Sequence, residues 1–194
     1  MQTQTKSQFY NIAEYLQLEE KALEKSEYCN GEIFTMAGST PQHNRLCLNI
    51  GGELNFKLRK TDHQVYMTDI KLWIPQCNSF KYPDVMIITG QPEYYQQRKD
   101  IILNPVVIIE VLSDSTEDYD RGDKFRQYRS LESLQEYVLI SQNSIYIEHF
   151  KKIAPYEWLF TELNQPEAYL KLSHPEVTLS LVEIYDRVDF SDME

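Results

Sequence analysis

The chain has 194 residues, of which 42% are hydrophobic and 25% charged, a composition that suits one globular domain (residues 1–194) able to bury a sizeable core. Its formal net charge of -11 gives an average surface that repels phosphate backbones, so a nucleic-acid role needs a local basic cleft or metal ions. Three widely spaced cysteines without a CxxC exclude a disulfide framework or a zinc ribbon, and no run reaches the roughly 18 apolar residues of a membrane span. With no basic-then-apolar leader in MQTQTKSQFY, a soluble cytoplasmic protein is expected.

In chain order, Asn11 to Glu20 (NIAEYLQLEE) carries Ile12, Tyr15 and Leu16 at helical spacing behind an Asn11 cap. In EYCNGEIFTMA, Asn30-Gly31 lies between two strand-like runs, a hairpin signal because both turn residues must accept positive φ. A helix is predicted from Gln42 to Lys60, with Leu46, Cys47, Ile50, Leu54 and Leu58 on one face and His43 pointing inward on it. Strands follow at Gln64 to Met67, Ile70 to Ile74, Tyr82 to Thr89 and Val106 to Ser113, separated by turn-rich PQCNSFK and polar QPEYYQQRKD. A helix from Asp120 to Leu131, strands at Glu136 to Ile140, Ser144 to Phe150 and Tyr156 to Thr161, a weak strand near Val177 and a short helix at Ser180 to Tyr185 complete the pattern. This is a mixed sheet flanked by a few helices, α/β or α+β.

Two carboxylates stand where carboxylates are costly. Six of the seven residues from Val106 to Leu112 are the Val/Ile/Leu run of a fully buried strand, and the seventh is Glu110. An unpaired buried carboxylate costs several kcal/mol, so Glu110 requires a cation, a metal ion or a proton; a structural ion pair or a strand end reaching water would also satisfy it. In YPDVMIIT, Pro83 marks a strand entry that places Asp84 on one face with Met86 and Ile88. Adjacent strands with one acid each can converge two hard oxygen ligands, the preference of Mg2+ or Mn2+; a turn aspartate capping the strand is the simpler use of Asp84.

At about 100° per residue from Asp120, the apolar residues Phe125, Tyr128 and Leu131 centre an inward arc near about 80°. Lys124, at about 40°, and Arg121, at about 100°, fall inside that arc, while Gly122, Asp123, Arg126, Arg129 and Ser130 point away. Asp120 precedes Lys124 by four residues, a helical ion pair that can orient the ammonium; a lysine at the stripe's edge can also reach solvent. The Asp-rich SDSTEDYDRGD is no EF-hand. Counting from Asp118, glycine is fifth rather than sixth and Arg129 stands where the bidentate Glu belongs. Ser115 or Asp118 is expected as the helix cap. Tyr94-Tyr95 could stack bases or make dimer contacts.

The order Pro83-Asp84, then Glu110-Val111-Leu112-Ser113, then Asp120-Arg121-Gly122 with Lys124 and Tyr128, resembles the Uma2 family over about residues 10 to 185, including the Asn30-Gly31-Glu32 hairpin and His43. That family is similar to the PD-(D/E)xK nucleases, which implies a restriction-endonuclease-like mixed sheet of four or five strands flanked by helices. The resemblance implies Asp84 and Glu110 as catalytic acids holding Mg2+ or Mn2+. One position departs from the pattern: Leu112 stands where the superfamily places its lysine. Lys124 then becomes the replacement from the neighbouring helix, Asp120 its support, and Glu32, His43 and Arg121 further site candidates. The expected function is metal-dependent DNA hydrolysis, with a homodimer as the assembly that cuts two strands. A catalytically inactive nuclease-fold scaffold, or hydrolysis of RNA or another phosphodiester, remains open.

Overall fold

A computed structural model describes residues 8–36, 38–113 and 117–190. Asn11 closes a capping box with Glu14 at the start of α1 (Ile12–Glu19), and the backbone turns at Asn30 (φ 49°) and Gly31 (φ 103°) between β1 (Ser26–Cys29) and β2 (Glu32–Thr35). Thr40 then caps α2 (Pro41–Leu58), whose proline at the first helical position gives up no hydrogen bond there. These four elements form as their local residues dictate.

The next segment is richer in strands than its composition suggests. It contains β3 (His63–Met67), β4 (Lys71–Ile74), β5 (Ser79–Lys81), β6 (Val85–Thr89), β7 (Tyr94–Tyr95), β8 (Arg98–Ile102) and β9 (Pro105–Leu112). PQCNSFK, expected as a turn, holds a 3-10 turn at Pro75–Cys77 and all of β5. QPEYYQQRKD, expected as a polar connection, is a hairpin of β7 and the start of β8, turning on positive φ at Gln96 and Gln97. Tyr95 is therefore no free stacking surface: its ring lies 5.3 Å from Trp73 and 5.4 Å from Phe80.

After β9 the chain forms α3 (Glu117–Tyr119), a π-helical stretch at Asp120–Lys124 and α4 (Phe125–Tyr128) in place of one regular helix. Asp118 lies inside α3 and does not cap it, and Ser115 lies outside the described residues. Then come β10 (Glu136–Ser141), β11 (Ile147–Ala154), β12 (Glu157–Leu163), the hairpin β13 (Tyr169–Ser173) and β14 (Glu176–Ser180), and α5 (Leu181–Ile184), capped by Ser180 with Glu183.

One six-stranded sheet has the order β12-β11-β10-β9-β6-β3, antiparallel except for the parallel pair β9/β10. Side chains alternate across it. Val85, Ile87, Ile109 and Val111 pack with Ile50 and Leu54 of α2 on one face, while Met86, Ile108 and Leu112 meet Phe125 and Tyr128 on the other. The second sheet, β2-β1-β5-β4-β8-β7, shares that second layer: Leu72 and Ile74 of β4 join it, whereas Trp73 between them packs with Phe80, Tyr28 and Tyr15 beneath α1. Both faces of β6 and β9 are thus covered, which explains their near-continuous apolar runs.

The β13/β14 hairpin is tied to the main sheet by Glu136. Its carboxylate has no exposed surface, accepts the backbone N–H of Ser173 (2.7 Å) and of His174 (2.8 Å), and lies 2.6 Å from Nε2 of His149. Burial works to raise its pKa, but the His149 contact and the two backbone donors outweigh burial and hold it below the ordinary glutamate range. A depressed carboxyl stabilises the fold above its unfolded-state pKa and loses that stabilisation as pH falls through the folded value. Glu136→Gln is expected to cost about 1–3 kcal/mol at pH 7. In thermal melts its deficit should shrink steadily as the pH is taken below the ordinary glutamate range; a deficit that stays constant into acid would show that the charge of Glu136 is not what matters.

Candidate active site

Glu110 sits in β9 between β6 and β10, 2% exposed, with its side chain on the face of Ile108 and Leu112. Asp84 stands just before β6, after Pro83, and its carbonyl accepts the Thr68 N–H at 3.1 Å. The two acids are linked reciprocally. The Asp84 N–H donates to Oε2 of Glu110 at 3.2 Å, and the Val111 N–H donates to Oδ2 of Asp84 at 2.8 Å. Each carboxylate is thereby fixed by the other strand's backbone.

The helical segment supplies the cation. Nζ of Lys124 is 2.9 Å from Oε1 of Glu110 and 3.1 Å from Oδ1 of Asp120, and the Tyr128 hydroxyl donates to the same Oε1 at 2.7 Å. Lys124 is 8% exposed and Asp120 2%, so the lysine is held inside and does not reach for solvent. The Tyr137 hydroxyl pins this turn by donating to the Asp120 carbonyl at 3.1 Å. The π stretch widens the turn, and π-helical turns occur often at functional sites. Gln127, which a regular wheel puts about 100° from the centre of the inward arc, is also buried, with its amide 3.9 Å from Sγ of Cys29 in β1.

Burial raises the pKa of Glu110 to about 8; Asp84 and Asp120 add to the rise and Lys124 opposes it. For Lys124, burial works to lower the pKa, but Glu110 and Asp120 outweigh it and the ammonium is held charged well above its ordinary range. Burial likewise works to raise Asp84, and the contact with His43, the charge of Lys124 and the Val111 N–H bring it below the usual carboxylate range. His43 Nε2 lies 3.3 Å from Asp84 Oδ2; burial works against its charged form, and Asp84 nonetheless lifts its pKa. Two buried carboxylates, Glu110 and Asp120, thus contact the Lys124 ammonium, while Asp84 is paired with His43 and linked to Glu110 through the backbone.

The remaining candidates fall elsewhere. Arg121 is directed to Glu148 (2.8 Å) and to Glu117, not to Asp84 or Glu110. Glu32 makes no ion pair with the cluster among the described residues and lines a surface cleft with Tyr10, Lys21 and Phe34. Two residues that sequence reasoning missed stand beside the cluster: Lys81, fully buried, pairs with Glu27 at 2.8 Å and donates to the Tyr119 hydroxyl at 2.6 Å. Glu27 is near enough to act on the charge of Lys124. A lysine between Phe80 and Tyr82 is the same kind of signal as a glutamate among valines, but it lay in a segment expected to be a turn.

The donor set suits a hard divalent cation. Glu110 accepts three contacts where a carboxylate has about four acceptor sites. Burial drives Glu110 toward its protonated form, and a divalent cation held there would favour the ionised one.

The family model Uma2, described as "Putative restriction endonuclease", matches residues 12–182. The uncharacterized protein sll1609 of Synechocystis sp. (strain ATCC 27184 / PCC 6803 / Kazusa) is 39% identical over 165 residues, 85% of this chain and 93% of that protein. The uncharacterized protein slr1290 of the same strain is 34% identical over 146 residues, 75% of this chain and 76% of that one. In structure the chain is similar to a crystal structure from Anabaena variabilis ATCC 29413 described as "a putative nuclease belonging to DUF820", with a TM-score of 0.73 and 16% identity, covering 91% of this chain and 97% of the other. That likeness is one of fold, and the fold is restriction-endonuclease-like.

Proposed function

We propose, from the premise that this chain belongs to the Uma2 family, that it is a metal-dependent endonuclease hydrolysing DNA phosphodiester bonds. The observation that carries the reading is the meeting of Asp84 and Glu110, each carboxylate fixed by the other strand's backbone, with the Lys124 ammonium held against Glu110 by Asp120. Mg2+ or Mn2+ held by Asp84 and Glu110 would polarise the scissile phosphate and lower the pKa of an attacking water. Lys124 would stabilise the charge developing on the phosphate, occupying the role that Leu112 cannot fill. Asp120 and Tyr128 position Lys124 and Glu110, and the Glu27–Lys81–Tyr119 contacts fix the start of the helical segment that carries the lysine. His43 orients Asp84.

The net charge of -11 implies weak DNA binding that falls steeply with salt, and a homodimer would supply the second site for cutting both strands. No helix among the described residues is long and apolar enough to cross a membrane, and the three cysteines are unpaired, in keeping with work in the cytoplasm. The alternative is a catalytically inactive nuclease-fold scaffold or interaction protein, favoured by Leu112 and the acidic surface. Plasmid cleavage decides between them: the wild type should nick or linearise DNA with Mn2+ at low salt and lose activity as salt rises, whereas Asp84→Asn should not cut. Equal cutting by both would remove Asp84 from the site, and no cutting by the wild type would favour the scaffold.

A further inference from the structure

His43 and Cys47 lie one turn apart near the start of α2, and the entry to β6 brings Asp84 against both. Nδ1 of His43 is 3.6 Å from Sγ of Cys47, Nε2 is 3.3 Å from Oδ2 of Asp84, and one ligand atom from each of the three residues falls within 4.8 Å of the others. A tetrahedral Zn2+ with bonds of about 2.0–2.3 Å holds its donors about 3.3–3.6 Å apart; the Nε2–Oδ2 pair is already at that spacing, and the Cys47 thiol, now beside Nδ1, must close toward Nε2 to complete the set. Mixed sulfur, nitrogen and oxygen donors suit Zn2+ or Co2+ and are a poor match for Mg2+. Glu110 is not part of it. Its carboxylate is taken up by Lys124, Tyr128 and the Asp84 N–H.

We propose that His43, Cys47 and Asp84 form a second metal site, selective for Zn2+ over Mg2+, whose occupation withdraws Asp84 from the site it shares with Glu110. If the imidazole binds through Nε2, its Nδ1–H is left to donate to the Ser39 hydroxyl 3.2 Å away, the outer contact that fixes a metal-binding histidine. The side chains of His43 and Asp84 are 17% and 16% exposed, which leaves the site a route to solvent, while Cys47 closes it from the core side. Binding replaces the thiol proton by the metal and releases that proton to water. The competition with Mg2+ rests on the nuclease reading of Asp84; the existence of the thiolate site does not.

The test is a titration of the full, chelator-stripped chain with Co2+, followed by the near-ultraviolet thiolate-to-cobalt charge-transfer absorption. The wild type should develop this band at one equivalent, Zn2+ should bleach it, and Mg2+ should leave it intact. Cys47→Ser and His43→Ala should each abolish the band, whereas Cys29→Ser, Cys77→Ser and Glu110→Gln should retain it. Because Cys47 is in the core, the more exposed His43→Ala keeps the test decisive should Cys47→Ser fail to fold. Absence of the band in the wild type, or its persistence in either site variant, overturns the proposal. A protein that shows the band and does not cut DNA keeps this site and loses the nuclease reading, so the two fail separately.

Discussion

Glu110→Gln is expected to abolish Mn2+-dependent DNA cleavage, by at least about 10²–10³-fold, and at the same time to make the metal-free protein more stable at neutral pH. The loss follows from removing one of two hard ligands and leaving a neutral amide in its place. The gain follows from the surroundings of Glu110: burial, with the charges of Asp84 and Asp120 adding to it and Lys124 opposing it, raises its carboxyl to about 8. A carboxyl harder to ionise in the folded than in the unfolded chain contributes stability that is complete below its unfolded value and is lost as pH rises through its folded value. The glutamine variant should therefore gain on the wild type between pH 4.5 and about 8 and hold its lead above that. Each unit of pKa shift is worth about 1.4 kcal/mol, so even part of this one is measurable in melts. Saturating Mn2+ should reverse the order, stabilising the wild type by about 2.7 kcal/mol at a hundredfold excess over Kd and the variant not at all. A wild type that gains on the variant with rising pH in the absence of metal would refute this charge balance.

Lys124→Met carries the second large effect. It removes the cation and leaves Glu110 and Asp120 buried without it, a change that typically costs about 3–5 kcal/mol. Activity should fall about 10²–10³-fold, the scale of losing one group that stabilises developing charge. The two substitutions interact directly, so adding Glu110→Gln to Lys124→Met should return at least about 1 kcal/mol of the lost stability without restoring any cleavage. Chemical denaturation of the four proteins of this cycle gives the coupling. If Lys124→Met cut DNA at the wild-type rate, Lys124 would be a structural partner of Glu110 and the position left empty by Leu112 would have no occupant.

Much of the site was legible because charge in an apolar strand is costly and therefore informative. Glu110 among valines and isoleucines, Asp84 behind Pro83, and Lys124 on the inward arc of a helix each violate a local preference, and the structure brings all three together. The hairpin at Asn30-Gly31 and the helix starts at Asn11 and Ser180 were legible because their side chains satisfy backbone groups within three residues. What escaped has no local signature. β5 is three residues long and preceded by Asn78 in left-handed conformation, so its composition is that of a turn. The β7/β8 hairpin turns on two glutamines with positive φ, a geometry that ordinarily selects glycine or asparagine. Gln127 lies off the predicted arc, yet its amide meets Sγ of Cys29 in β1 at 3.9 Å, a contact distant in sequence. Lys81 and Glu27 meet across 54 residues of sequence, which only the pairing of β1 with β5 and the turn into β6 arranges. Arg121 lies on the predicted arc, yet Glu148 from β11 and Glu117 one turn away draw its guanidinium off the cluster.

The central claim is that Asp84 and Glu110 together hold a divalent cation, and a crystal of the full chain soaked in Mn2+ tests it most directly. The expected result is an anomalous peak within bonding distance of an oxygen from each of the two carboxylates, with Lys124 still beside Glu110. A crystal with no peak there, or with Mn2+ on only one of the two acids, would contradict it.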